Sequence, residues 1–261
     1  MKLREFGNTG IQVSEIGLGA WQLANPDWQL DDRTEARAIV ETALAEGCNF
    51  FDTAPGYGGG RSEEILGEVL GSQRDKVVIM TKFGTTRPDG SKNFTVESIR
   101  PSLEGSLKRL RTDYVDFLLL HNPPKDLMDG RHAPQYEELE RLKAEGKIRE
   151  YGVSLDWREE LETVVNTTGS KAIEVMFNAF YQEPLPAFEL ARQKGVGLVI
   201  KVPLDSGWLS GRYRADSQFS DIRKRWAPEI LARRMALLEE FSALIPAGQS
   251  MAQVALRFCL A

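Results

Sequence analysis

Asp52, Tyr57, Lys82 and His121 are residue types that together can move a proton onto a carbonyl oxygen. A phenol with an ordinary pKa of about 10 is a poor acid at neutral pH, yet a nearby cation can lower it by about one to three units. Lys82 would supply that cation, and Asp52 would fix the ammonium by a charge-assisted hydrogen bond in a partly dry pocket. His121 would orient the carbonyl oxygen or share its proton. Taken singly, each residue has a plainer reading. Asp52 suits a helix cap or loop, Tyr57 a loop aromatic, Lys82 a solvated strand end, and His121 a turn before Asn122-Pro123-Pro124. The chemical reading therefore depends on elements that bring the four to one place.

Short apolar or β-branched runs at 16–20, 49–52, 77–82, 115–121, 148–154, 173–177 and 196–203 alternate with longer stretches of helical periodicity. Such runs suit strands buried on both faces. Asp32 with Glu35, followed by apolar Ala36, Ile39, Val40 and Ala43 and closed by Gly47, predicts a capped helix. Ser62 predicts the start of a second, with Glu63 and Glu64 in its first turn. Asp156 with Glu159 predicts another capping box, and Pro186 a first turn ahead of Gly195. Pro101 either begins or kinks the helix carrying Leu103, Leu107 and Leu110.

Repeated strand–helix–strand units of about 30 residues require parallel strands with right-handed crossovers. Gly17-Leu18-Gly19-Ala20-Trp21-Gln22 lacks the third glycine of a dinucleotide fingerprint and leads into Trp-Gln, which favours a closed barrel over an open doubly wound sheet. Residues 2–6 and 11–14, around Asn8-Thr9-Gly10, predict a hairpin that plugs one barrel mouth. The expectation is an α/β chain, a (β/α)8 TIM barrel with an N-terminal β-hairpin, forming a single domain over 1–261. Seven units are found, the last helix at 251–261 following an inserted helical stretch at 230–244. The last β-α unit is absent, so either the chain lacks its C-terminal end or the barrel is incomplete as it stands. Reactive groups of such barrels sit at the C-terminal strand ends. That is where Asp52, Lys82 and His121 fall, with Tyr57 in the glycine-rich loop after the second strand.

Thirty-three basic against 38 acidic residues leave a formal charge of −5, which gives no broad positive field for a nucleic-acid backbone. No apolar stretch nears the roughly 20 residues of a membrane span, and residues 1–6 lack the pattern of a secretory signal. Cys48 and Cys259 lie in apolar surroundings, which fits a reducing, cytoplasmic compartment, and with His121 and His132 they make no zinc spacing. No metal is expected. The sequons at Asn93 and Asn166 read as chance.

Phe51-Asp52-Thr53-Ala54, Tyr57-Gly58, Ser62-Glu63-Glu64, Leu66-Gly67, Thr81-Lys82-Phe83-Gly84 and Leu118-Leu119-Leu120-His121 resemble the aldo-keto reductase superfamily. Gly146-Lys147-Ile148-Arg149, Gly152-Val153-Ser154, Pro203-Leu204 and Ala252-Gln253-Val254-Ala255-Leu256 extend the resemblance over nearly the whole chain. It implies a barrel that binds an extended nicotinamide cofactor without a Rossmann domain and reduces small aldehydes, ketones or sugars. On that pattern Asp52, Tyr57, Lys82 and His121 form the catalytic tetrad, with Tyr57 as proton donor. Ala20 and Trp21 would lie near the nicotinamide, and Ser154 would bond its carboxamide. The segment 203–212, with Pro203, Leu204, Ser206, Gly207, Leu209 and Arg212, would cover the pyrophosphate. Family habit favours NADP(H), with NAD(H) open, because the residues that grip a 2′-phosphate lie on the last unit.

Three positions depart from the family pattern. Leu155 stands where Asn commonly follows the serine, Glu174 where a Gln meets the carboxamide, and Lys201 where an aromatic often stacks on the ring. They give some weight to a second class of function, a cofactor-binding redox-sensing regulatory subunit with little turnover. A barrel lyase using Lys82 as a Schiff-base amine is a third, opposed by Asp52 as an ion-pair partner. The loops at 88–93, 123–134 and 217–228, which would select the substrate, carry no diagnostic motif.

Overall fold

The computed structural model describes every residue except 24, 29, 85–90 and 215, so part of the loop 88–93 lies outside the described residues. The chain opens with the expected antiparallel hairpin, β1 (Leu3–Glu5) and β2 (Gln12–Ser14), Leu3 facing Ser14. Then follow β3 (Leu18–Gly19), α1 (Arg33–Ala45), β4 (Phe50–Asp52), α2 (Arg61–Leu70), β5 (Val78–Phe83) and α3 (Val96–Leu110). The alternation continues through β6 (Val115–His121), α4 (Gln135–Ala144), β7 (Ile148–Leu155), α5 (Arg158–Thr167), β8 (Ala172–Met176), α6 (Phe188–Gln193) and β9 (Gly197–Lys201). Two helices, α7 (Pro228–Ser242) and α8 (Met251–Leu260), close it. Strands β3 to β9 pair in chain order, all parallel, in a nearly closed barrel whose first and last strands are not bonded to each other.

The double-sided apolar strands arise from two shells. Phe50, Val78, Met80, Phe117, Leu119 and Ala172 point into the barrel, where they meet Phe6, Ile11 and Val13 of the hairpin. Their sequence neighbours Phe51, Ile79, Leu118, Leu120, Val153 and Ile173 point outward to the helices. The hairpin therefore plugs the N-terminal mouth, with the Phe6 ring 4.7 Å from that of Phe117. Side chains alternate along a strand with a period of two. Counting upward from the apolar inner layer thus brings Asp52, Lys82, His121, Ser154, Glu174 and Lys201 to the inner face at the opposite, C-terminal mouth. Gly152 is required below Ser154, because a Cβ there would lie 1.6 Å from the Ala172 carbonyl oxygen.

Local signals are mostly realised. Asp32 caps α1, its carboxylate accepting from the Thr34 and Glu35 amides at 2.7 and 3.3 Å. Ser62 is not a cap: α2 starts at Arg61, and the buried Ser62 hydroxyl bonds the Ala20 carbonyl and Thr53 Oγ1, each at 2.9 Å. That ties α2 to the ends of β3 and β4. The capping box of α5 shifts by one residue, since Glu160 rather than Glu159 accepts from the Asp156 and Trp157 amides. Pro101 sits inside α3. Among the described residues no helix is long and apolar enough to cross a membrane.

Candidate active site

Lys82 is fully buried, and its ammonium donates to Asp52 Oδ1 at 2.5 Å and to the Thr53 carbonyl at 3.1 Å. Glu174 Oε1 lies 3.4 Å away on its other side. Tyr57 comes from the tight turn after β4, where Gly58, Gly59 and Gly60 have φ of +57°, +66° and +96°, a region glycine enters without strain. This turn folds the phenol back over the strand ends, so that Lys82 Nζ lies 5.3 Å from its ring centroid. The rings of His121 and Trp21 stand 5.8 and 6.1 Å from it. The four residues of the expected tetrad are brought together at one mouth.

Their electrostatics differ from the sequence expectation in two respects. Burial pushes the Tyr57 phenol above its ordinary pKa, and Lys82 opposes that shift without reversing it. Tyr57 is a protonated phenol and not an acidified one. Burial, reinforced by Lys82, lowers His121 to about 3, so the ring is neutral. Its buried Nδ1 meets no partner among the described residues, and the ring lines the cleft. Burial would lower Lys82, but Asp52 and Glu174 outweigh it and hold the ammonium charged. Burial and Glu174 together push Asp52 upward against the pull of Lys82. Glu174, despite its own burial, is held low by Lys82 and Lys201.

Two of the three departures from the family pattern, Glu174 and Lys201, meet around Ser154, whereas Leu155 is buried in the outer core against the helices. Lys201 Nζ donates to Ser154 Oγ at 2.9 Å and Asn122 Oδ1 at 3.1 Å, and pairs with Asp156 Oδ1 at 2.9 Å. Ser154 in turn donates to Asn122 Oδ1 at 2.9 Å, and lies opposite Glu174 in the β7–β8 register.

A cleft of about 1350 Å³ runs over this floor and along the open side between β3 and β9. Trp21, Asp52, Tyr57, His121, Ser154, Glu174, Lys201, Pro203, Leu204, Ser206 and Gly207 line it, as expected from the sequence. Ala20 and Leu209 do not, because both are fully buried, Leu209 against Trp208, Leu238 and Ala255. Arg212 is exposed and outside it too. Val202, just past β9, adopts φ +57°, an uncommon conformation for a β-branched residue, and is followed by Asp205 and Ser206 at +45° and +56°. Asp205 is anchored by Arg234 Nε at 2.9 Å. Sequence reading missed Trp28, whose ring meets Trp21 edge-on at 5.0 Å, and Arg223, which stacks on Tyr213 at 4.8 Å. Neither lies at a strand end, so no periodic signal marks it.

A parallel barrel gathering an acid, a phenol, an ammonium and a neutral imidazole over an elongated cleft defines a barrel oxidoreductase. The chain belongs to the aldo/keto reductase family, whose profile matches residues 15–261. It is 34% identical over 235 residues to the NADH-specific methylglyoxal reductase of Escherichia coli, covering 83% of this chain and 71% of that protein. It is 30% identical over 287 residues to a probable voltage-gated potassium channel subunit beta of Oryza sativa, covering 99% and 83%. The holo form of an aldo-keto reductase from Bacillus halodurans superposes with a TM-score of 0.83 at 28% identity, over 100% of this chain and 82% of that one. Nicotinamide use goes with the family, and the floor suits the group. A carboxamide needs an acceptor for its NH₂ and a donor for its oxygen, and Glu174 and the Ser154–Lys201 pair are of those types.

Proposed function

We propose that this single barrel domain is a cytoplasmic NAD(P)(H)-dependent reductase of a small aldehyde, ketone or sugar, with Tyr57 as proton donor. The observation that carries the reading is the fully buried Lys82, clamped by Asp52 and Thr53 beneath the Tyr57 ring at the mouth of the cleft. A bound nicotinamide supplies the hydride. The protein's own part is to position and protonate. His121, neutral, holds the carbonyl oxygen, and Tyr57 gives that oxygen its proton as negative charge develops there. A phenol with a raised pKa still serves, because an alkoxide is more basic than a phenolate. Lys82 stabilises the phenolate left behind.

Trp21, Ser154, Glu174, Lys201 and the 203–207 segment are the proposed cofactor contacts, and NADP(H) the proposed form. The relative named as NADH-specific keeps NAD(H) as the alternative. Consumption of NADPH and NADH with a panel of aldehydes, ketones and sugars tests the reading. Tyr57→Phe is expected to lower the rate about 10²- to 10⁴-fold with cofactor affinity unchanged. Equal rates in the two proteins would remove Tyr57 from the mechanism. The potassium-channel relative favours a second reading, a redox-sensing subunit with little turnover. Tight cofactor binding with negligible turnover across the panel would select it.

A further inference from the structure

The proton donor's neighbour has more partners than it has protons. An ammonium carries three N–H donors. Asp52 Oδ1 and the Thr53 carbonyl take two of those on Lys82, at 2.5 and 3.1 Å. Two groups face the third: the Glu174 carboxylate at 3.4 Å and the phenol whose ring centroid is 5.3 Å away. Glu174 is buried at the top of the β8 inner column, where an unpaired carboxylate would be expelled from its ionised state. Lys82 itself does most to keep it charged, aided by Lys201 on β9, which is paired with Asp156 and brings a second ammonium to Ser154, the register partner of Glu174 on β7.

We infer that Glu174 is a fifth member of the reaction centre, a positioning residue that competes with the Tyr57 hydroxyl for the third N–H of Lys82, with Lys201 as the counter-charge that keeps the competitor ionised. The inference rests on the reading of Tyr57 as proton donor and adds a control upon it. Every charge around the pair takes part. Lys82 is faced by Asp52 from β4, Tyr57 from the following turn, neutral His121 from β6 and Glu174 from β8. Glu174 is faced by Lys82, His121, Ser154 and Lys201, and Lys201 in turn by Asp156 from the loop after β7. The raised phenol agrees with this arrangement, since Glu174 is among the groups that raise it. Removing Glu174 takes a carboxylate from beside Lys82, and removing Lys201 takes away the second ammonium that helps hold Glu174 ionised.

The test uses the full chain as wild type, Glu174→Gln, Lys201→Met and the double variant, each with and without Tyr57→Phe. Phenolate absorbance on raising the pH, with the Tyr57→Phe protein subtracted to remove the other five of the six tyrosines, reads Tyr57 directly and needs no turnover. In wild type the Tyr57 component is expected only above the pH of about 10 at which ordinary tyrosines ionise. In Glu174→Gln it should move down by about one unit or more, and the alkaline limb of kcat/KM should move with it. The double variant should show the same shift, and carries the test if Glu174→Gln alone fails to fold. In urea, Lys201→Met should raise the unfolding constant about tenfold, and Glu174→Gln in the same chain should recover most of that loss. An unmoved phenolate in both the single and double variants, with only cofactor affinity weakened, would overturn the inference and make Glu174 a cofactor contact alone. A fully active Tyr57→Phe protein would instead sink the donor reading while leaving the phenolate shift in place.

Discussion

His121 is a residue at which burial and charge act in one direction, since a partly dry site and the Lys82 ammonium both disfavour imidazolium. Its folded pKa of about 3 lies below the unfolded value of about 6.5, so between those pH values the unfolded chain binds the extra proton. The neutral ring's contribution to stability is complete above pH 6.5 and is lost as the pH falls toward 3. The proposed carbonyl reduction should accordingly show no inflection near pH 6.5, and the urea midpoint should drop through the acid window less steeply in His121→Phe than in wild type. A rate limb at pH 6.5 that disappears in the variant would contradict the neutral assignment. At this scale the sequence disclosed which groups meet but not the state each holds. Lys82 beside Tyr57 was legible from strand ends, whereas the direction of the phenol's shift depends on how much water the folded mouth excludes.

Helices and strands carry their own instructions, and α1 is the clearest, with Asp32 capping it through two amide bonds. Asp32→Ala should lower the unfolding free energy by about 1 kcal/mol with cofactor affinity unchanged, since the cap is exposed and does not line the cleft. Gly152→Ala tests the strands: the added methyl would press on the Ala172 carbonyl and part β7 from β8 beneath Ser154 and Glu174. Loss of the thermal transition, or of several kcal/mol, is expected. A near-native melt would show that the two backbones have room to separate. Ser62 shows why local motifs can mislead. Its sequence context is that of a cap, but the hydroxyl is used across the fold on Ala20 and Thr53.

In the whole molecule, stability and chemistry occupy opposite mouths. The seven residues of β6 separate them by about 20 Å. Phe6 fills the N-terminal mouth against Phe50 and Phe117, so Phe6→Ala should cost about 3–5 kcal/mol of stability. Phe6 also borders the cleft, at its hairpin end and away from the Lys82 floor, and cofactor dissociation, followed by tryptophan fluorescence, should stay within error of wild type. A large loss of affinity would mean that the plug shapes the cleft through the open side between β3 and β9, along which the cleft runs.

The order of strands and helices, the hairpin, and Asp52, Lys82 and His121 at successive strand ends follow from the sequence alone, because strands buried on both faces stand out as continuous apolar runs whose C-terminal ends can be located without coordinates. The tertiary structure decided what those residues do to one another. Glu174, far from Lys82 in the chain and an isolated oddity in sequence, comes within 3.4 Å of its ammonium, and Lys201 joins Ser154 and Asp156 beside it. The reason is that Coulomb energies and desolvation depend on distances across the barrel, which strand register and closure set and which no local pattern records.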